Sequence, residues 1–346
     1  MKMIRFRTRW VAVAAALMML LSFAAACAKD PPAPEQTTKE SYVVGVSMDT
    51  MFSSYWGSAV TSLDATAKEM GNVELRYLVA EGDANVQNEQ IDSLIAQDVD
   101  AIICVPKDGQ AIMAAVAKCN AANIPFIFLD RPVESTSSIK VDYGVATENY
   151  EIVVISMNMM VDYAKANNFK LKALELMGAL TDNNAIVRSQ AYADVSAANP
   201  DVFEILQTIP TDWDANIAYS GLQNAFAANP DANCVLVPSD HFWPAIENVL
   251  TEIGRLTTFG EEGHVYIVAV GIEPYVLPAV RDSYIGFDSS SPIKEAAKLT
   301  LEAAVKLANG ESMGKDFTLL AGFVLTPQNF NELASQTYGY DEWKAG

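Results

Sequence analysis

The sequence predicts an α/β protein of two similar lobes, each a parallel sheet covered by helices on both faces. Three observations carry that expectation. Short apolar runs bounded by turn residues alternate with segments of helical periodicity, the pattern of right-handed βαβ units. The alternation runs from Ser41 to Asp130 and resumes after Asn149. The chain has 346 residues, 51% hydrophobic and 19% charged, enough for about two domains with cores of their own.

Residues 42–47 (YVVGVS) read as a buried strand, nearly all apolar because a strand of a parallel sheet is covered on both faces. A helix over 54–70 follows, with Trp56, Val60, Leu63, Ala67 and Met70 near helical spacing and Gly71 as its stop. The strand ELRYLVA leads to a helix with Ile91, Leu94 and Ile95 at i, i+3 and i+4. Then come the strand AIICVP, a helix carrying Ile112, Val116 and Cys119, and the strand PFIFLD ending at Asp130. The second run has strands KALELMG, VFEILQTI, ANCVLVPS, YIVAVGI and IGFDSS, separated by helical segments near 185–198, 214–228, 241–254 and 274–281. In parallel sheets, ligands gather at the carboxyl ends of the strands. Here those ends carry Asp49 and Tyr55 after the first strand, Asp130 and Arg131 after the fourth, and Ser239, Asp240 and Glu273 later. Two lobes with their strand ends facing each other enclose one cleft.

The N-terminus reads as an address. Lys2, Arg5, Arg7 and Arg9 precede an uncharged run, 10–26, that ends in small residues before Cys27. A basic start, an apolar stretch and a small-residue cleavage site form a secretory signal over 1–26. Ala24-Ala25-Ala26-Cys27 resembles a bacterial lipobox, whose cysteine is acylated, although Ala24 stands where that motif usually has Leu. Ordinary cleavage after an A-x-A site is the alternative. Residues 27–40 are polar and proline-rich and are expected as a tether. The expectation is an exported, lipid-anchored cell-membrane protein facing the periplasm or the outside.

Charge and motif content exclude several classes. The net charge is −20, and more negative still without the basic first 26 residues, so the surface repels phosphate backbones and nucleic acid is no partner. No phosphate-binding loop, dinucleotide fingerprint or nucleophile elbow occurs. His241 and His264 lack metal-ligand spacing and are expected at the surface or at helix starts. Cys104, Cys119 and Cys234 fall in apolar runs and are expected as buried thiols. Nothing argues for catalysis, a cofactor or a metal.

Several stretches are familiar in their order: VGVSMDTMFSSYW, then NEQIDSLIAQDVDAIICVPKDGQAIMAAVAKCNAANIPFIFLDRPV, then ATENY, RSQAY, PTDWD, ANPDANCVLVPSD, VAVGIEP and VLTPQN. Over 41–346 the chain resembles the ribose- and galactose-binding branch of the periplasmic binding proteins. The resemblance implies two Rossmann-like lobes joined by a three-strand hinge, the type I fold of that family. It places chain crossings near 146–147, 290–291 and 321–322, giving one lobe of 41–146 with 291–321 and another of 147–290 with 322–346.

The resemblance also implies residue roles. Tyr55 and Trp56 match the family's two aromatics against one face of a sugar ring, and Trp213 before Asp214 matches the aromatic on the other face. Asp130 and Arg131 match its Asp-Arg pair, and Arg188 in RSQAY its arginine of the second lobe, with Ala191 where the family has Gly. Asp182 and Asn184 stand where galactose-binding relatives keep polar contacts. Core packing for Trp56 and a helix-start role for Asp182 are the plainer alternatives. Six further positions depart from the pattern: Asp49 for a serine, Ser53 with Ser54 for Asn-Pro, Ser239 for an asparagine, Glu273 for an aspartate, and Ser290 for a glutamine or asparagine. Buried carboxylates at Asp49 and Glu273 would favour a donor-rich ligand, a sugar or polyol but also an amino compound. The implied role is a monomeric, lipid-anchored solute-binding subunit that delivers its cargo to an ABC permease and its ATPase subunits. The alternatives keep the fold and bind a nucleoside, a sugar-derived signal or an amino compound, or dock on a chemoreceptor or kinase.

Overall fold

Twelve strands form two six-stranded sheets in a computed structural model that describes residues 39–346. The expected signal segment, Cys27 and nearly all of the tether lie outside the described residues. In the first sheet the order is β11-β5-β4-β3-β1-β2, from β1 (Tyr42–Met48), β2 (Val73–Val79), β3 (Ala101–Cys104), β4 (Phe126–Leu129), β5 (Tyr143–Thr147) and β11 (Thr318–Leu320). The second sheet runs β12-β10-β9-β8-β6-β7, from β6 (Leu171–Met177), β7 (Phe203–Pro210), β8 (Cys234–Val237), β9 (Tyr266–Gly271), β10 (Phe287–Ser290) and β12 (Phe323–Leu325). All pairings are parallel except β10 with β12. Two α/β lobes on parallel sheets are what the alternation in the sequence predicts.

Each sheet buries both faces, and the strand period of two distributes the side chains. Ile103 joins Val44, Val46, Leu63 and Leu301 on one face of the first sheet, while its neighbour Ile102 joins Ile91, Leu94, Phe126 and Phe128 on the other. The second sheet is sandwiched in the same way by two clusters, one around Leu176, Leu222 and Val235 and one around Val153, Met157 and Val268.

Helices α1 (Ser54–Met70), α2 (Ala84–Ala96), α3 (Met113–Ala122), α4 (Asn149–Ala166), α5 (Asn183–Ala198), α6 (Ala215–Ala228), α7 (Trp243–Glu252), α8 (Leu277–Arg281) and α9 (Ile293–Ala308) link the strands. Side-chain caps fix several starts: Asp83 accepts from the Asn85 and Val86 amides, Asp182 from Asn184 and Asp214 from Asn216 and Ile217. Helix α9 follows a strand of the second sheet, yet its Ile293, Ala297 and Leu301 pack in the core of the first lobe. The chain passes between sheets after β5, after β10 and between β11 and β12. At the last passage Gly322 lies so close to the Ser290 carbonyl that a Cβ there would sit 2.2 Å from its oxygen. Among the described residues no helix is long and apolar enough to cross a membrane.

Candidate functional site in the cleft between the lobes

The carboxyl ends of the two sheets face each other, and between them lies a cavity lined by residues of both lobes. On the first lobe, the loop after β1 leads into α1, whose first turn presents Tyr55 and Trp56 to the cavity. After β4 the backbone turns sharply, with Asp130 at φ 68. A non-glycine residue in the left-handed region is uncommon and concentrates at functional sites. Here it aims Asp130 and Arg131 into the cleft.

Their polar groups form one network across the cleft. Tyr55 Oη donates to Asp130 Oδ1 at 2.6 Å, and Asn184 Nδ2 of the second lobe donates to Asp130 Oδ2 at 2.8 Å. Arg131 Nη1 donates to Asp49 Oδ2 at 2.6 Å and to the Pro106 carbonyl at 3.0 Å, while its Nε pairs with Asp182 Oδ2 at 2.9 Å. The guanidinium lies 5.4 Å from the centroid of the Trp56 ring. Burial pulls Arg131 down, but Asp182 and Asp49 outweigh it and hold its pKa above the ordinary value. Burial raises Asp130, against the Tyr55 hydroxyl, Arg188 and Arg131, which favour its charge. Burial, with the Asp130 charge, raises Tyr55 and keeps it a neutral donor.

On the second lobe, Asp182 caps α5 through the Asn184 amide at 2.8 Å and also accepts from Trp213 Nε1 at 3.1 Å. Arg188, one turn into α5, grips Asn149 Oδ1 with Nε and Nη2 at 2.8 and 2.6 Å and the Pro238 carbonyl with Nη1 at 2.6 Å. Trp213, at φ 65, lies nearly parallel to Phe242. His241 stands behind it, with Nδ1 2.8 Å from Ser239 Oγ, Nε2 3.2 Å from the Trp213 carbonyl oxygen, and its ring 4.8 Å from Phe52 of the first lobe. Burial lowers its pKa to about 4, so it is neutral at neutral pH.

Of the thirteen candidate residues, ten line the cavity: Ser53, Tyr55, Trp56, Asp130, Arg131, Asp182, Asn184, Arg188, Trp213 and Ser239. Asp49, Glu273 and Ser290 do not. Asp49 is buried beside Arg131. Ser290 ends β10, paired with Gly271 and Phe323, and its neighbour Ser291 lines the wall instead. Glu273 reaches the other lobe, where Oε2 accepts from the Ser54 amide at 3.1 Å and Oε1 from the Tyr55 amide at 3.2 Å. Protein donors thus serve Glu273 at both oxygens and Asp49 at Oδ2, while Asp49 Oδ1 is buried without a hydrogen-bond partner. His264 is also not at the surface: it is buried, with Nδ1 2.8 Å from the Thr257 carbonyl oxygen.

Phe52, Val270, Gly271, Ser291 and Tyr338 also line the cavity, and Asn149 positions Arg188 from behind. Sequence reasoning passed over them. Tyr338 comes from the C-terminal segment and meets Tyr55 edge to face at 5.3 Å, a contact no local pattern announces. Asn149 lies within ATENY, one of the stretches that carry the resemblance, and was readable there.

A two-lobed α/β protein with a polar and aromatic cavity between its sheet ends defines the class. The family described as periplasmic binding protein domain matches residues 44–312, and the chain belongs to that family. It is 27% identical over 301 residues to the D-apiose import binding protein of Paraburkholderia graminis, covering 87% of each chain. It is 23% identical over 310 residues to the ribose import binding protein of Bacillus subtilis, covering 88% of this chain and 95% of that one. An ABC transporter solute-binding protein from Bacillus halodurans with bound myo-inositol shares the fold, with a TM-score of 0.75 at 20% identity over 87% of this chain and all of that one.

Proposed function

We propose that this protein captures a monosaccharide or related polyol between its lobes and delivers it to an ABC import permease. The observation that carries the reading is the cavity itself. Trp213 on one lobe and Tyr55 and Trp56 on the other offer aromatic surface for the C–H faces of a ring, while Asp130, Arg131, Asn184 and Arg188 ring it with polar groups. Two arginines and the acids around them leave no large uncompensated charge, which suits a neutral ligand. Ser53, Tyr55, Trp56, Asp130, Arg131, Asp182, Asn184, Arg188, Trp213 and Ser239 are the proposed contacts, with Asp49, Glu273 and Ser290 acting from behind them. The names of the apiose and ribose relatives support the same class of cargo.

The lobes of 41–146 with 291–321 and 147–290 with 322–346 turn about the crossings near 146–147, 290–291 and 321–322, and a bridging ligand favours the closed form. The chain acts as a monomer, exported by its signal 1–26 and held to the membrane by acylated Cys27 and the tether 27–40. The test is thermal melting with D-apiose, D-ribose, myo-inositol, nucleosides and amines. At 1,000 times its Kd a bound ligand adds about 4 kcal/mol of stability, a rise of several degrees. A rise with a sugar or polyol that disappears in Arg188→Ala and Asp130→Ala supports the reading. A rise only with a nucleoside or an amine replaces the cargo.

A further inference from the structure

Glu273 occupies a position where the family resemblance implies a ligand contact, yet its carboxylate goes elsewhere. It is 1% exposed and spends both oxygens on the Ser54 and Tyr55 amides, the first turn of α1 in the opposite lobe. The first amides of a helix have no partner within the helix and carry the positive end of its dipole, so they attract an anion. Helix α1 does not meet that need from its own lobe. Ser53 at its N-cap makes no side-chain cap bond, and its first turn holds no acidic residue.

The second lobe is shaped to deliver this carboxylate. After β9 the chain turns through Gly271 at φ 151 and Ile272 at φ 89. Positive φ is a genuine outlier for a β-branched residue and persists only where its surroundings hold it. Asp240 holds it: Oδ2 accepts from the Ile272 amide at 2.5 Å and the Glu273 amide at 2.8 Å. Only a glycine fits at 271, because a Cβ there would sit 1.9 Å from Asp240 Oδ1. Three features of this turn thus serve one outcome, a glutamate aimed across the cleft.

We infer that Glu273 is a closure latch: it supplies from the second lobe the missing cap of the helix that carries Tyr55 and Trp56, and acts on solute binding by positioning that helix, not by touching the ligand. The inference rests on the reading of the protein as a two-lobed solute-binding protein that closes on its cargo. A latch favours the closed form whatever ligand is inside. A direct contact instead reads one hydroxyl and weighs differently on different sugars.

The experiment compares the wild type with Glu273→Gln, which keeps the shape but gives one amide an NH₂ in place of an acceptor. In protein saturated with whichever compound raises the melting temperature, hydrogen exchange at the Ser54 and Tyr55 amides is expected to quicken about tenfold, the weight of one cap. For each of D-apiose, D-ribose and myo-inositol that raises the wild-type melting temperature, Kd is expected to rise by one common factor. In the open, unliganded form the latch is not made. Neutralising Glu273 should therefore leave unliganded melting unchanged, where a merely structural role would lower it. Unchanged exchange, a factor that differs between the sugars, or a fall in unliganded stability overturns the latch. A panel in which no sugar but a nucleoside or an amine raises the melting temperature overturns the sugar reading instead, and the exchange comparison with that compound bound, beside unliganded melting, still decides the latch.

Discussion

Arg131 sits between Asp49 and Asp182, all three nearly buried, one carboxylate from each lobe. Removing one partner of a buried ion pair leaves charge without compensation, and here it leaves two carboxylates. Arg131→Ala should therefore destabilise the protein by about 3–5 kcal/mol, read from the shift of a urea midpoint. Lys107 and Asp212 also bridge the lobes, at 3.0 Å, but Asp212 is 70% exposed at the rim. Lys107→Ala should cost less than about 1 kcal/mol in the same measurement, since water and salt screen such a pair. His241 gives a pH dependence of definite sign. Its contacts are Ser239, the Trp213 carbonyl and the rings of Phe52, Trp213 and Phe242, and burial lowers it from 6.5 to about 4. Between those values the unfolded chain takes up a proton that the folded chain refuses. Its contribution is whole above the unfolded value and is lost as the pH falls through the window, by about 3 kcal/mol at most. Wild type and His241→Asn, unfolded by denaturant at about pH 7 and about pH 4.5, should differ by that increment in their loss of stability.

At the scale of elements, two aspartates with the same local task separate structure from site. Asp83 and Asp182 each cap a helix, but Asp182 also holds Arg131 of the other lobe and the Trp213 indole. Asp83→Ala should cost about 1 kcal/mol of stability and leave sugar affinity unchanged. Asp182→Ala should lower both, as melting with and without ligand will show. The same contrast explains what the sequence could reveal. Helices α1, α5 and α6 and the strands before them were legible because their apolar spacing is local and their ends carry Gly71, Asp182 and Asp214. Helix α4 was not, because NYEIVVISMNMMVDYAKA is apolar on nearly every side and shows no stripe; Ile155 stays 50% exposed. Strands β11 and β12 have three residues each, and their places come from pairing with β5 and β10, which no local pattern encodes. In the site, chemistry at strand ends picked out Tyr55, Asp130, Arg131 and Ser239, and the family resemblance supplied the other six wall residues. Glu273, also chosen at a strand end, does not line the cavity, because the direction of its side chain is set by the Ile272 backbone and by Asp240, far away in sequence.

For the whole molecule, charge separates the two kinds of cargo that the sequence left open. The chain carries a net charge of −20. A cationic ligand approaching such a surface is drawn by a field that salt screens, with a Debye length of about 10 Å at 0.1 M ionic strength and about 3 Å at 1 M. A neutral sugar feels almost none of it. The groups it would meet pair with one another inside the cleft: Arg131 with Asp49 and Asp182, Asp130 with Tyr55 and Asn184, and Arg188 with Asn149 and the Pro238 carbonyl. Buried pairs are screened far less than exposed ones, so the walls keep their arrangement as salt rises. Affinity for a sugar or polyol should therefore change by less than about twofold between low salt and 1 M sodium chloride, measured by calorimetry. An amine held by the protein's negative field would weaken about tenfold or more over the same range. That larger response, seen for whichever compound raises the melting temperature, would reassign the cleft to a cation and leave the fold, the network and the family as they stand.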